Sequence, residues 1–119
     1  MIGVYSLEIA RLYQYLLQKK QQNFLLVHGL DGYDEISLTS DTKLFDRSGE
    51  SILSAEEFSF SALNPESLFG GHTKKEAAEL FKGILNGNGT YEQNAVVLAN
   101  AAMALKNTGK YGDYESCLS

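Results

Sequence analysis

Only one cysteine and one proline occur in the 119 residues, Cys117 and Pro65. A single cysteine excludes an internal disulfide, and a lone thiol in a polar tail fits a reducing, cytoplasmic compartment. No apolar run reaches the roughly 18 residues that a membrane span requires. The N-terminus carries neither the basic nor the apolar region of a secretory leader, so none is expected. Basic residues are in deficit: the net charge is −5, and nucleic-acid binding asks for a basic footprint that is missing here. Internal repeats and low-complexity segments are absent as well. What remains is one compact unit of ordinary hydrophobic content, long enough to bury roughly two thirds of its unfolded surface.

One stretch organises the rest. The apolar run Phe24-Leu25-Leu26-Val27 stops at His28, and Gly29-Leu30-Asp31-Gly32-Tyr33-Asp34-Glu35 follows. An apolar run bounded by glycine reads as a buried strand, usually a parallel one. Ligands of open α/β sheets collect just beyond the carboxyl ends of such strands. Two adjacent carboxylates there, Asp34 and Glu35, point to a hard divalent cation, most simply magnesium, which takes oxygen ligands and typically completes its shell with phosphates. A solvated acidic turn has the same composition, and spacing alone leaves both readings open.

Ser6 caps a helix expected over about 6–20, with Glu8 in its first turn. A strand is expected at about 23–28; Phe24 to Val27 reads as a lone strand with unpaired edges, so self-association by strand pairing or swapping is expected. Ile36–Thr39 and Thr42–Arg47 are β-branched and alternating, Ser48-Gly49 is a turn, and Glu50–Leu53 returns, which together read as a small antiparallel element. Ser54-x-x-Glu57 suggests a helical turn, and 62–69 a loop around Pro65. Thr73-x-x-Glu76 opens a helix whose Ala77, Leu80, Phe81, Ile84 and Leu85 share a face; Asn86-Gly87 ends it. Thr90-x-x-Gln93 opens another, in which only Asn100 is polar from Ala95 to Leu105, so burial nearly all round is expected. Tyr13, Tyr15, Phe81 and Met103 are assigned to the core. Asn100 must then find partners for a buried amide, and backbone groups of a neighbouring loop are the natural ones. Residues 112–119 read as a short helix or a frayed end.

The motif from Val27 to Thr39 resembles a segment of the anthranilate phosphoribosyltransferase family, Val-His-Gly-x-Asp-Gly-Leu-Asp-Glu-Ile-Ser-Leu-Thr, with Tyr33 where the family usually has Leu. Gly3-Val4-Tyr5-Ser6, Gly70-Gly71 and Val97-Leu98-Ala99-Asn100-Ala101-Ala102-Met103-Ala104-Leu105 are similar to its flanking landmarks. The resemblance implies an α/β fold with a partial parallel sheet, a small antiparallel annex and about four helices, part of a nucleoside phosphorylase/phosphoribosyltransferase-like domain. Residues 1–119 correspond to the C-terminal part of that domain. The family's Gly-Thr-Gly-Gly-Asp phosphate loop and its Lys-His-Gly-Asn motif do not occur in this sequence.

The implied activity of the parent enzyme is transfer of the ribosyl phosphate of phosphoribosyl pyrophosphate to anthranilate, in tryptophan biosynthesis. Asp34 and Glu35 match its magnesium-holding acidic pair, serving one ion or two. No catalytic or substrate-binding residue is assigned within this chain, and alone it is expected to be inactive. Its substrates are small molecules, with neither nucleic acid nor membrane as a partner. Asp31 reads as a turn former, with contact to metal through water as the lesser role, and His28 as a hydrogen-bonded structural residue. His72 and Ser40-Asp41 depart from the family pattern; the latter alters a turn beside the acidic pair. The alternatives are a nucleoside phosphorylase-like enzyme, which needs no paired acids, and a non-catalytic binding or scaffold domain.

Overall fold

The computed structural model describes all 119 residues. The apolar run becomes strand β2, Leu26–Gly29, inside a mixed four-stranded sheet of order β1-β2-β3-β4. Ile2–Gly3 forms β1 and runs parallel to β2; Thr42–Phe45 forms β3 and runs antiparallel to it. Glu50–Leu53 forms β4 and completes a hairpin with β3. The antiparallel annex is thus continuous with the parallel pair. Nothing in the sequence pattern announces β1, because a two-residue strand has no measurable periodicity. The supposedly lone strand has β1 on one side and β3 on the other, so it has no free edge to recruit a second copy.

Both faces of the sheet are covered, which explains why the run leading into β2 is apolar without interruption. Side chains alternate across the sheet. Phe24, Leu26 and Phe45 pack with Val4 and Ala10 on one side, where Leu7–Gln18 forms helix α1. Leu25, Val27 and Leu44 pack on the other side with Ala95, Ala99, Ala102 and Met103, beneath the helix that spans Tyr91–Asn107. The short helix Tyr114–Leu118 seals that side: the Tyr114 hydroxyl donates to the Phe58 carbonyl at 3.0 Å, and the two rings meet edge to face. Cys117 packs against this cluster and is not part of a free tail.

The hairpin turn is held by Asp46. Its Oδ1 accepts from the Ser48 and Gly49 N–H groups at 2.7 and 3.1 Å. Burial alone would raise the Asp46 carboxyl, but the bonds from Ser48 and Gly49 outweigh it and hold the pKa below the ordinary range. Arg47 then ties this turn to the α1–β2 connection by donating to the Lys20 carbonyl at 2.6 Å.

Several expectations are corrected. Ile36–Thr39 is not a strand. Pro65–Leu68 is a turn of 3-10 helix and not a loop, because the Asn64 side chain accepts from Glu66 N–H and proline suits the first helical position. Helix α2, Lys74–Leu85, forms as expected but buries none of its residues; Phe81 and Leu85 are 62% and 68% exposed. Leu80 and Ile84 on the same stripe are only half-buried. Tyr13 and Tyr15 are exposed too, and of the four assigned core residues only Met103 is buried. The Tyr91–Asn107 helix, α3, buries Ala95, Ala99, Ala102 and Met103, while Val97 and Leu98 face out.

Two consequences are measurable. Tyr114→Phe leaves a buried carbonyl without its donor and should cost about 1 kcal/mol in urea unfolding. Burial, and then the Glu115 carboxylate, push the Tyr114 phenol up to about 12. A folded pKa above the unfolded value of about 10 means that its contribution is intact below pH ~10 and lost as pH rises through the folded value. The variant's own urea curve should lack that loss. Gly3→Ala is the second. A Cβ there would lie 1.7 Å from the Asp34 carbonyl oxygen, backbone that cannot swing aside as a side-chain tip would. The substitution should lower the urea midpoint, at constant slope, by the equivalent of about 1–3 kcal/mol.

Candidate functional site

The acidic loop leaves the carboxyl end of β2 and returns at the start of β3. Its neck is closed by Leu30 N–H donating to the Asp41 carbonyl at 2.9 Å. Within it, Gly29 N–H donates to the Tyr33 carbonyl at 2.8 Å and Gly32 N–H to the Gly29 carbonyl at 2.9 Å. Gly32 takes φ +99, a conformation that glycine adopts without a Cβ clash. Asp31 is a turn former, as its position suggested. Its carboxylate accepts from the Ser37 and Thr39 hydroxyls, and its N–H donates to Ser40 Oγ at 3.1 Å. The Ser40 hydroxyl in turn donates to the Asp41 carbonyl, so the departure at Ser40-Asp41 closes the loop by side-chain bonds.

His28 has the structural role expected of it. Buried on the sheet, its Nδ1 lies 2.8 Å from the Val4 carbonyl oxygen. A carbonyl only accepts, so Nδ1 carries the proton. The ring extends the β1–β2 ladder by one side-chain bond beyond the bond from Val4 N–H to the Val27 carbonyl. His72 is exposed on the surface, its ring tilted against Phe69.

Asp34 and Glu35 stand at the outer rim of the loop, both exposed. Neither has a basic partner: the two ion pairs of the chain join Lys43 to Glu50 and Lys82 to Glu79. Partial burial, and then the negative charge of Asp34, raise the Glu35 pKa above the ordinary carboxylate value. The rim therefore carries two oxygen-donor groups whose mutual repulsion nothing in the chain offsets. No third His, Cys, Asp or Glu joins them to make a self-contained metal cage. That donor set fits a hard cation that keeps water and ligand oxygens in most of its positions.

Immediately after Glu35 the backbone is gripped by a side chain from α3. Ile36 N–H donates to Asn100 Oδ1 at 3.0 Å, and Asn100 Nδ2 donates back to the Ile36 carbonyl at 2.8 Å. A third bond, from Nδ2 to the Val96 carbonyl at 2.9 Å, anchors the amide on its own helix. Asn100 thus meets a loop backbone, as its place in an apolar helix suggested. That the loop is the acidic one, and that Gly3 abuts it at Asp34, was not read from the sequence. Both contacts join residues far apart in the chain, beyond any local pattern.

Known proteins resemble this chain in sequence and in fold. The chain is 44% identical over 115 residues to the anthranilate phosphoribosyltransferase of Christiangramia forsetii, covering 97% of this chain and 35% of that protein. It is 38% identical over 119 residues to that of Bacteroides fragilis, covering 36% of it. Among solved structures, the anthranilate phosphoribosyltransferase of Thermus thermophilus superposes with a TM-score of 0.82 at 26% identity, over 98% of this chain and 35% of that one. The Saccharomyces cerevisiae enzyme, solved with phosphoribosyl pyrophosphate and magnesium, shares the fold at a TM-score of 0.75 and 20% identity. The chain therefore spans about 35% of the length of the relatives that it matches. The family described as the glycosyl transferase family, a/b domain, matches residues 1–119 from end to end, and the chain belongs to it.

Proposed function

We propose that this chain supplies the magnesium-holding part of an anthranilate phosphoribosyltransferase, the C-terminal part of its α/β domain. The observation that carries the reading is the pair of carboxylates without basic partners, Asp34 and Glu35, at the carboxyl end of β2. In the whole enzyme, phosphoribosyl is transferred from phosphoribosyl pyrophosphate to the anthranilate amine and pyrophosphate leaves. Bond breaking at the sugar carbon builds negative charge on that leaving group. Magnesium, when bound, supplies positive charge against it. Asp34 and Glu35 hold the ion's protein side, and the loop presents them toward solvent, where a phosphate ligand approaches. A phosphorylase that uses inorganic phosphate has no comparable need for two adjacent acids.

The remaining polypeptide of such an enzyme has two further tasks on this reading. It brings the glycine-rich phosphate loop and the anthranilate contacts, which this sequence does not contain. It also covers apolar surface left open here, such as Phe81 and Leu85 on α2 and Leu12 and Leu16 on α1. Cytoplasmic residence belongs to the same proposal, since the substrates are soluble metabolites; no helix of the chain is long and apolar enough to cross a membrane.

Activity tests the proposal most directly. The chain alone should show no transfer, because positioning of substrate accounts for about 7–11 kcal/mol of barrier lowering in oriented reactions. A chimera in which this chain replaces the matching 35% of the Christiangramia forsetii enzyme should consume anthranilate, followed by its fluorescence. In that chimera Asp34→Asn should cut turnover about a hundredfold, roughly 3 kcal/mol of lost electrostatic stabilisation. Full turnover in the variant, or transfer by the chain alone, defeats the assignment.

Magnesium binding to the chain alone should be weak, with a Kd above about 10 µM by calorimetry, since two carboxylates fill only part of the shell. It should weaken further as pH falls through the raised Glu35 pKa, because protonation removes a ligand. Glu35→Gln should weaken binding and remove the part of the pH dependence that Glu35 contributes. Tight binding that is flat with pH contradicts the role.

A further inference from the structure

We propose that Asn100 is a positioning residue for the acidic pair: its carboxamide holds both backbone groups of Ile36 and thereby sets where Asp34 and Glu35 present their oxygens. The inference rests on the reading of Asp34 and Glu35 as magnesium ligands. Asn100 is the only polar residue between Ala95 and Leu105, in a helix that otherwise packs small apolar side chains against the sheet. A carboxamide withdrawn from water is costly to keep there unless its bonds are made. All three that are seen are well formed. The orientation of the amide follows from its partners: only Oδ1 can accept the Ile36 N–H, and only Nδ2 can donate to the Ile36 and Val96 carbonyls.

Residues 36–39 belong to no strand, so no ladder fixes the backbone just after Glu35. In place of a ladder, and beside the loop's own bonds from Ser37 and Thr39 to Asp31, three points outside the loop hold it. The Asp34 carbonyl lies against the bare Cα of Gly3, where a Cβ would stand 1.7 Å from the oxygen. Asn100 grips the Ile36 backbone. Leu38, in the left-handed region at φ 59, accepts at its carbonyl from Leu63 N–H at 2.8 Å. Only the middle point is a side chain, and it acts on the residue adjoining Glu35. Freed from it, the Ile36 backbone would turn about its neighbouring dihedrals and carry the Glu35 carboxylate with it. Magnesium demands near-ideal octahedral geometry, so a ligand displaced by about an ångström binds it poorly.

The test uses the 119-residue chain, isotopically labelled and titrated with manganese(II), a paramagnetic substitute that takes the same oxygen ligands. In the wild type, amide broadening should centre on Asp34 and Glu35. Asn100→Leu should abolish hydrogen-exchange protection of the Ile36 amide and weaken manganese binding about tenfold. Asn100→Ser, which shortens the side chain without placing an apolar group against the peptide, should do the same and covers the case in which the leucine variant does not fold. Met103→Ala loosens the same helix–sheet core without touching Ile36 and should leave the affinity within about twofold. The positioning role is overturned if Asn100→Ser binds manganese as the wild type does, or if Met103→Ala weakens binding as much. The doubly substituted Asp34→Asn, Glu35→Gln chain tells the two readings apart: wild-type binding there overturns the magnesium assignment itself and this inference with it. Loss there beside unchanged binding in Asn100→Ser overturns the positioning role alone.

Discussion

Strand β2 has no free surface, and that constraint shapes the rest of the molecule. Its edges are taken by β1 and β3, and its two faces by α1 on one side and α3 with the Tyr114 helix on the other. A strand enclosed in this way must be apolar, or have its polar groups bonded within the fold as His28 does. It can hand the chain to solvent only at its ends. The loop after Gly29 is such an exit. Polar chemistry therefore gathers there because of topology, before any particular residue is considered.

Enclosure also explains how an irregular, highly polar loop can be held still. Its backbone groups do not pair with β2, whose two edges β1 and β3 already occupy. They are bonded locally, by the Asp31 carboxylate with Ser37 and Thr39, and remotely, by Asn100 from the helix packed on the sheet face. Each such bond contributes on the order of 1 kcal/mol net. The contact at Gly3 is of another kind. It is steric, and it works only because the residue has no side chain. Two of the loop's outside anchors are thus a contact through an absent atom and a grip by a polar side chain, both fixed to elements that are themselves packed.

Much of this was legible in the sequence. The apolar run, the Ser48-Gly49 turn, the capping residues Ser6, Thr73 and Thr90, and the stop at Asn86-Gly87 are local signals, and each appears close to where expected. The lone polar Asn100 in an apolar helix announced a hydrogen bond to a neighbouring loop, and it makes one. What failed was whatever needed knowledge of the other side of a contact. The stripe on α2 is amphipathic in pattern, yet a pattern says only that a face would profit from cover, not that cover is present. Alternating residues at 36–39 read as a strand, but both edges of β2, the strand that this segment follows, are taken by β1 and β3. Asp34 and Glu35 were singled out by likeness to a family motif, since composition alone left a metal site and a solvated turn both standing; the structure places both at the exposed rim of the loop without a basic partner.

The acidic rim shows why such a site is tolerated at all. In bulk water two unit charges 4 Å apart interact by only about 1 kcal/mol, and partial exposure keeps Asp34 and Glu35 near that regime. Deeper burial would multiply the repulsion and drive a proton onto Glu35, whose pKa is already raised. Fuller exposure would lower the cost but leave the loop free to place its carboxylates anywhere. The structure lies between these limits: backbone held from within the core, side chains left at the surface. A carboxylate pair that is both charged and fixed needs that division, and the division needs anchors such as Gly3 and Asn100 that carry no charge of their own.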